Sequence, residues 1–287
     1  MGVAVGRIGV WVSGGLLPPD PGAAGTALAG LEELGYQAVW LGMSPAGTLE
    51  QPEGVLAATS KLAVATGIVS IWNHPAATVA GAYHRVAAAY PGRFLLGLGV
   101  SHAHLVEAGG QQYLRPYRKL VEFLDGLDMA APPVPPEGRA LAALGPRVLA
   151  LARDRAAGAH PYLVTPEHTR QAREILGSGP LLAPEQKVVL ERDPSRAREI
   201  ARGSLGMYLR APNYIANLRR LGFAEDDITG ASDRLVDALV AWGGEEVIAR
   251  RVAEHHDAGA DHVCIQVLTG EQALPWEQWR VLAAVLA

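Results

Sequence analysis

The stretch PGRFLLGLGVSHAHLVE, residues 91 to 107, decides how the rest of the chain is read. Phe94 to Val100 is a short apolar run with two glycines, entered through a Pro-Gly turn. An apolar run of that length without polar alternation suits a strand buried on both faces, as in a parallel sheet covered by helices. Gly97 and Gly99 remove side chains where the chain faces a crowded interior or a ligand. The polar residues Ser101, His102 and His104 wait until the strand's carboxyl end. That is the end at which open α/β sheets and α/β barrels bind ligands.

Working outward, Ile8 to Ser13 reads as a first strand. Ala23 to Leu34 reads as a helix with Gly35 at a left-handed C-cap, and Gln37 to Met43 as the next strand. The same helix, glycine, strand order returns at Glu245 to Ala258, Gly259 and Asp261 to Leu268. It occurs again at Pro146 to Ala157, Gly158 and Tyr162 to Val164. Between these lie strands at Leu62 to Ser70, Ala140 to Leu144 and Leu181 to Leu190. Helices are expected at Ala76 to Tyr90, Tyr113 to Leu127, Pro166 to Leu176, Pro194 to Tyr208 and Pro212 to Leu221. Strands beginning near residues 8, 37, 62, 94, 140, 160, 181 and 262 make eight, nearly all separated by helices. That is the pattern of a (β/α)8 TIM barrel in one domain over residues 1–287. A doubly wound sheet is the alternative, but Gly-x-Gly-x-x-Gly is absent after the first strand. Ala130 to Gly138, with four prolines, reads as a surface crossing.

The 287 residues carry a net charge of −4 and no basic run, which gives no case for nucleic acid or an anionic membrane surface. The one cysteine, Cys264, excludes a disulfide within the chain and points to a reducing cytoplasm. The N-terminal stretch has neither a basic-start signal peptide nor a membrane span of roughly 20 apolar residues.

In a barrel the site is assembled from strand carboxyl ends. Those ends are poor in carboxylates, which disfavours glycoside chemistry by two acids about 5 to 10 Å apart. No Gly-x-Ser-x-Gly elbow is present. His102-x-His104 with Glu107 is a conceivable metal set, but the last strand ends in Val267-Leu268-Thr269 without an acid, so no metal is expected. Leu144-Gly145-Pro146 is more telling: a strand ends, glycine allows close approach, and proline opens a helix whose free amides suit an anion. Tyr162 to Thr165, followed by Pro166, gives a second helix start beside it. Each loop taken alone also reads as plain helix punctuation.

With these residues in view, the chain resembles the luciferase-like monooxygenase superfamily, in particular its branch of oxidoreductases that use the deazaflavin coenzyme F-420. The matching stretches are PGRFLLGLGVSH, LGPRVLALARDRAAGAHPYLVTPEH, LGYQAVWLG and GGEEVIARRVAEHHDAGADHVCIQVL, which together span nearly the whole chain in barrel order. The resemblance implies a luciferase-like barrel holding a flavin-type ring at the strand carboxyl ends. It implies a non-prolyl cis peptide behind the ring, placed here at Gly67, Ile68 and Val69. Ser101 then borders the cofactor, whose phosphate lies against Leu144, Gly145, Tyr162, Leu163 and Val164. His102 stands where related sugar-phosphate dehydrogenases carry a proton-handling acid, and a histidine suits that task. Those enzymes also place an Asp-His pair after the second strand, where this chain has Met43-Ser44, so the sugar-phosphate activity does not carry over. Ser44, Trp72 and His74 border the substrate space, although His74-Pro75 also reads as a simple helix start.

The expectation is a cytoplasmic oxidoreductase moving a hydride between F-420 and a small organic substrate, homodimeric by family likeness. An FMN-dependent monooxygenase, or a flavin-binding protein without turnover, stands as the alternative on the same scaffold.

Overall fold

The computed structural model describes residues 2–42 and 46–287. Among them are eleven strands: β1 (Ile8–Ser13), β2 (Ala38–Gly42), β3 (Ala63–Gly67), β4 (Val69–Ser70), β5 (Phe94–Gly99), β6 (Arg139–Leu141), β7 (Gly158–Ala159), β8 (Leu181–Leu182), β9 (Glu185–Val189), β10 (Val240–Trp242) and β11 (Val263–Val267). Their pairings are parallel, in the order β10-β9-β11-β1-β2-β3-β5-β6-β7-β8, with β4 also beside β5.

The ring closes because β8 and β9 are two pieces of one extended segment. On one edge the amides of Leu181, Ala183 and Glu185 reach the carbonyls of Ala157, Ala159 and Pro161. On the other, the amides of Asp261, Cys264 and Leu268 reach Leu182, Pro184 and Val188. Taking β3 with β4 and β8 with β9 as single staves leaves the eight of a (β/α)8 barrel, with β10 an extra strand beside the outer end of β9.

Alternation along the strands sorts the core into two layers. Val10, Val39, Leu41, Val64, Leu96, Leu98, Leu141 and Ile265 face outward and pack under the helices. Trp11, Ala38, Trp40, Ala63, Ala65, Ala140, Ala183 and Cys264 face one another inside the ring. The inward positions are mostly small because two indoles, Trp11 and Trp40, already occupy the space.

Several boundaries differ from expectation for identifiable reasons. The strand expected at Tyr162 to Val164 lies earlier, at Gly158–Ala159. Pro161 has no amide to extend that ladder, and Leu163 takes a left-handed φ of 56°. Pro184 likewise divides the strand expected over Leu181 to Leu190. The helix expected from Tyr113 begins at Pro116, its first-turn proline, and is preceded by a helix at Ala103–Ala108 that the pattern did not announce. The helix expected over Ala23 to Leu34 is two, Pro21–Leu28 and Gly30–Glu33. Helices Glu225–Thr229 and Asp233–Leu239, together with β10, were not foreseen. Gly35 and Gly259 close their helices with φ of 91° and 100°, as predicted. No helix among the described residues is long and apolar enough to cross a membrane.

Candidate active site

The strand carboxyl ends converge on one mouth, and its geometry starts with the third and fourth staves. β3 pairs with β5 only through Val64–Phe94 and Ala65–Leu95, after which β4 pairs Val69 with Leu98. Between them the Thr66 hydroxyl stands in for the missing ladder, donating to the Gly97 carbonyl and accepting from the Gly97 amide, each at 2.8 Å. A Cβ on Gly97 would lie 1.8 Å from the Thr66 carbonyl oxygen, so only glycine allows this approach. The Gly67–Ile68 peptide that follows is cis, where the resemblance placed it. Gly67 and Ile68 are half-buried although they lie at the barrel's centre, while Val69 is fully buried. The mouth therefore admits solvent down to that peptide.

The Trp11 indole forms the floor beside it. A Cβ on Gly67 would meet Trp11 Nε1 at 2.7 Å, and one on Gly42 would meet the same ring at 1.8 Å. Trp11 Nε1 is buried without a partner, as is His160 Nε2, 3.3 Å from the same Gly67 position. The other His160 nitrogen, Nδ1, donates to the Ala183 carbonyl at 2.7 Å, which fixes the tautomer and leaves Nε2 as an acceptor. Burial pulls the His160 pKa down to about 4.

On the rim after β5, Ser101 holds a φ of 55°, a conformation costing on the order of 1–3 kcal/mol outside glycine. Such outliers concentrate at functional sites, and Leu163 is the second one on this mouth. His102 caps the Ala103–Ala108 helix, half-buried, with Nδ1 buried and unpartnered. Burial, and then the nearby His104, hold its pKa below the usual imidazole value. His104 is exposed, its ring stacked 5.8 Å from that of His102. Among the described residues no three His, Cys, Asp or Glu side chains are grouped to hold a metal ion. Trp72 donates its indole N–H to the Val100 carbonyl at 2.8 Å and packs 5.4 Å from Tyr113, walling this side. His74 packs instead against the loop after β2, where a Cβ on Gly47 would meet its ring at 2.6 Å. Ser44 lies outside the described residues.

The two helix starts nominated for an anion prove unequal. They are adjacent, since His168 Nε2 of the Pro166–Leu176 helix donates to the Leu144 carbonyl at 2.9 Å. Yet the second start is already occupied. Thr165 Oγ1 caps it by accepting from the His168 amide, and the Leu163 amide donates to Glu185 Oε2 at 3.0 Å. Val164 is buried, and the Tyr162 hydroxyl turns into the barrel. The first start, at Gly145, has no side-chain cap. Arg220 Nη2 lies 3.7 Å from where a Gly145 Cβ would be, and it donates to Asn217 Oδ1, whose own Nδ2 is buried with no partner. Neither residue figured in the expected site, because both come from the helix Pro212–Arg220, which lies more than sixty residues further along the chain.

Inside the mouth lies a charged group to which the sequence reading assigned no role. Glu185 and Lys187 are both 0% exposed and paired at 3.3 Å. Lys187 Nζ donates further to the Tyr162 hydroxyl and to Gln266 Oε1, each at 2.6 Å. The available signal was period two: Ala183, Glu185 and Lys187 alternate along one strand, so all three point inward together. Tyr208 and Tyr214 close over this cluster, their rings 5.2 and 6.4 Å from Tyr162. The mouth is thus filled on the side of β7, β9 and β11 and accessible on the side of β3, β5 and β6.

Three solved structures of similar architecture have little sequence in common with the chain. An F-420-dependent secondary alcohol dehydrogenase, in complex with an F-420–acetone adduct, superposes with a TM-score of 0.75 at 16% identity, covering 98% of each chain. The coenzyme F-420-dependent tetrahydromethanopterin reductase from Methanopyrus kandleri gives 0.73 at 14%, covering 99% of each. The oxygenating constituent of 3,6-diketocamphane monooxygenase from Pseudomonas putida, a type II Baeyer–Villiger monooxygenase in complex with FMN, gives 0.63 at 13%, covering 98% of each. No curated protein sequence matches the chain. Residues 3–262 match the family model for luciferase-like monooxygenases, and the chain belongs to that family.

Proposed function

We propose that the protein is an oxidoreductase that binds coenzyme F-420 in the barrel mouth and passes a hydride between it and a small organic substrate. The observation that carries this reading is one mouth combining a solvent-reached backbone floor at Gly67–Ile68 with an uncapped helix start at Gly145 flanked by Arg220. A planar ring fits the first and an anionic tail the second. The choice of the deazaflavin over a flavin rests on the sequence stretches quoted above and on the two F-420-dependent enzymes that share the fold.

When bound, the cofactor supplies the hydride chemistry, and the protein supplies orientation and electrostatics. Gly67, Ile68 and Val69 back the ring, and Ser101 borders it. Leu144 and Gly145 hold the phosphate with Arg220 and Asn217, while Tyr162, Leu163 and Val164 shape the neighbouring wall. His102 exchanges the proton, and Trp72 bounds the substrate.

Titrating the protein separately with F-420 and FMN, by quenching of cofactor fluorescence, tests this reading. Binding of F-420 in the micromolar range is expected. Arg220→Ala should weaken it about tenfold by removing one charge-assisted contact. Micromolar binding of FMN alone would overturn the choice in favour of an FMN-dependent monooxygenase.

A further inference from the structure

His102 stands where the filled and accessible halves of the mouth meet, and no hydrogen bond aims it. A proton-handling imidazole is commonly fixed by its second nitrogen, which donates to a carbonyl or carboxylate and so sets tautomer and direction together. Among the described residues His102 Nδ1 is buried with no partner. The ring is half-buried, which leaves Nε2 as the nitrogen that reaches the mouth. Its direction therefore depends on packing.

Three rings surround it. His104, from the same helix, stacks at 5.8 Å but is itself exposed. The other two are buried tyrosines from the segment after β9. Tyr214 lies 5.7 Å away and is tilted by 36°, while Tyr208 meets the imidazole edge-on at 6.1 Å. These tyrosines are fixed in their turn. They pack edge to face on each other at 5.3 Å. Tyr162 accepts from Lys187 Nζ at 2.6 Å and gives its one hydrogen to Gln266 Oε1 at 2.8 Å. Tyr208, 3.0 Å from the Tyr162 hydroxyl, is then the donor between the two. Lys187 is held by Glu185 behind them. A buried ion pair is weak support for stability, since apolar residues of similar volume often serve as well. A pair that anchors a phenol, and through it the rings around a titrating group, has another use.

We propose that Tyr208 and Tyr214 are positioning residues for proton exchange: anchored through Tyr162 to the Lys187–Glu185 pair, their rings hold the His102 imidazole with Nδ1 packed away and Nε2 presented to the mouth. The inference rests on the oxidoreductase reading, in which His102 exchanges the proton. An imidazolium carries hydrogens on both nitrogens, and the one on Nδ1 would be buried without an acceptor, so the same packing favours the neutral ring. Burial, with His104 second, accordingly holds the His102 pKa below the usual value.

The test uses the cofactor-free protein. Tyr214→Ala opens the imidazole to water, so the pKa of His102, followed by NMR, should rise toward 6.5. Carbethoxylation by diethyl pyrocarbonate, mapped by mass spectrometry, should add one group to His102 in the native protein and two in Tyr214→Ala, where Nδ1 is uncovered. Tyr214→Phe keeps the ring and should match the native protein in both measurements. Should Tyr214→Ala not fold, Tyr208→Phe keeps every ring and cuts only the tether to Tyr162. It should move the titration the same way by a smaller amount. A titration that stays in place in every variant that folds, a Tyr214→Phe protein that behaves like Tyr214→Ala, or double modification of His102 in the native protein overturns the inference. Protection of His102 by added F-420 is a separate readout, and its absence bears on the oxidoreductase reading alone.

Discussion

Inside the barrel, the layer holding Trp40, His160 and His262 and the layer above it holding Tyr162, Lys187 and Gln266 are both aromatic and polar, yet their polar atoms are treated differently. In the lower layer Trp40 stacks on His160 at 4.0 Å and donates to His262 Nε2 at 3.1 Å, and His262 Nδ1 donates to the Gly6 carbonyl at 3.0 Å. Neutral imidazoles link one indole to two backbone carbonyls, in a layer closed to water. In the upper layer an ion pair, Lys187 with Glu185, is buried, and two residues on the same mouth, Ser101 and Leu163, hold positive φ. In the lower layer hydrogen-bonded imidazoles tie neighbouring strands together, whereas the upper layer keeps a charge pair beside the solvent-reached side of the mouth. The boundary between the layers is Trp11 and His160 Nε2, both buried and unpartnered beside Gly67.

The strongest way to break this comparison is acid. Burial holds the pKa of His160 at about 4 and that of His262 at about 3. His255, buried between the Glu245–Asp257 helix and β9, also titrates at about 3. It accepts from the Thr169 hydroxyl and donates to Gln186 Oε1. Unfolded imidazoles titrate near 6.5, so between about 6.5 and 3 the unfolded chain binds more protons than the folded one. Stability is thus complete above pH 6.5 and falls as the pH drops, by about 2 kcal/mol per histidine at pH 5. Urea midpoints at pH 7.5 and 5 measure this, and equal midpoints would mean that the lower layer is not sealed. Trp40→Ala comes next, with a loss of about 3–5 kcal/mol from the cavity and the unpaired His262.

Much of the lower layer was legible in the sequence. Short apolar runs and the glycines after helices placed the staves, and the ring followed from their number and order. Gly97 and the Gly67–Ile68 peptide were also placed, one by its apolar run and the other by family likeness. The upper layer was less legible. Arg220, Tyr208 and Tyr214 reach the mouth from helices after β9, and no local pattern says that such helices fold back over strand ends. Glu185 and Lys187 carry a readable alternation, but charge on a strand suggests a solvated face until closure buries it. The occupied Leu163 amide was hidden for the same reason, since its partner is a carboxylate more than twenty residues away.

His102 sharpens the comparison, because it is the titratable group of the mouth that stays in reach of water. His102→Ala should lower turnover about a hundredfold if it exchanges the substrate proton, with the urea midpoint and cofactor affinity unchanged. Burial first, and His104 second, hold its pKa below 6.5, so it is neutral at pH 7 and poised to accept a proton. In the oxidative direction kcat should rise with pH along a limb centred below 6.5. The two pH profiles are the way to tell rim from lower-layer histidines: on the proposed reading the former move a rate and the latter a stability. The smallest expected effect comes from His104→Ala. It removes the neighbour that disfavours protonation of His102, so the acid limb of the kcat profile should move to higher pH while the stability profile stays in place. A shift to lower pH, or a stability profile that moves with it, would place His102 among the structural imidazoles instead.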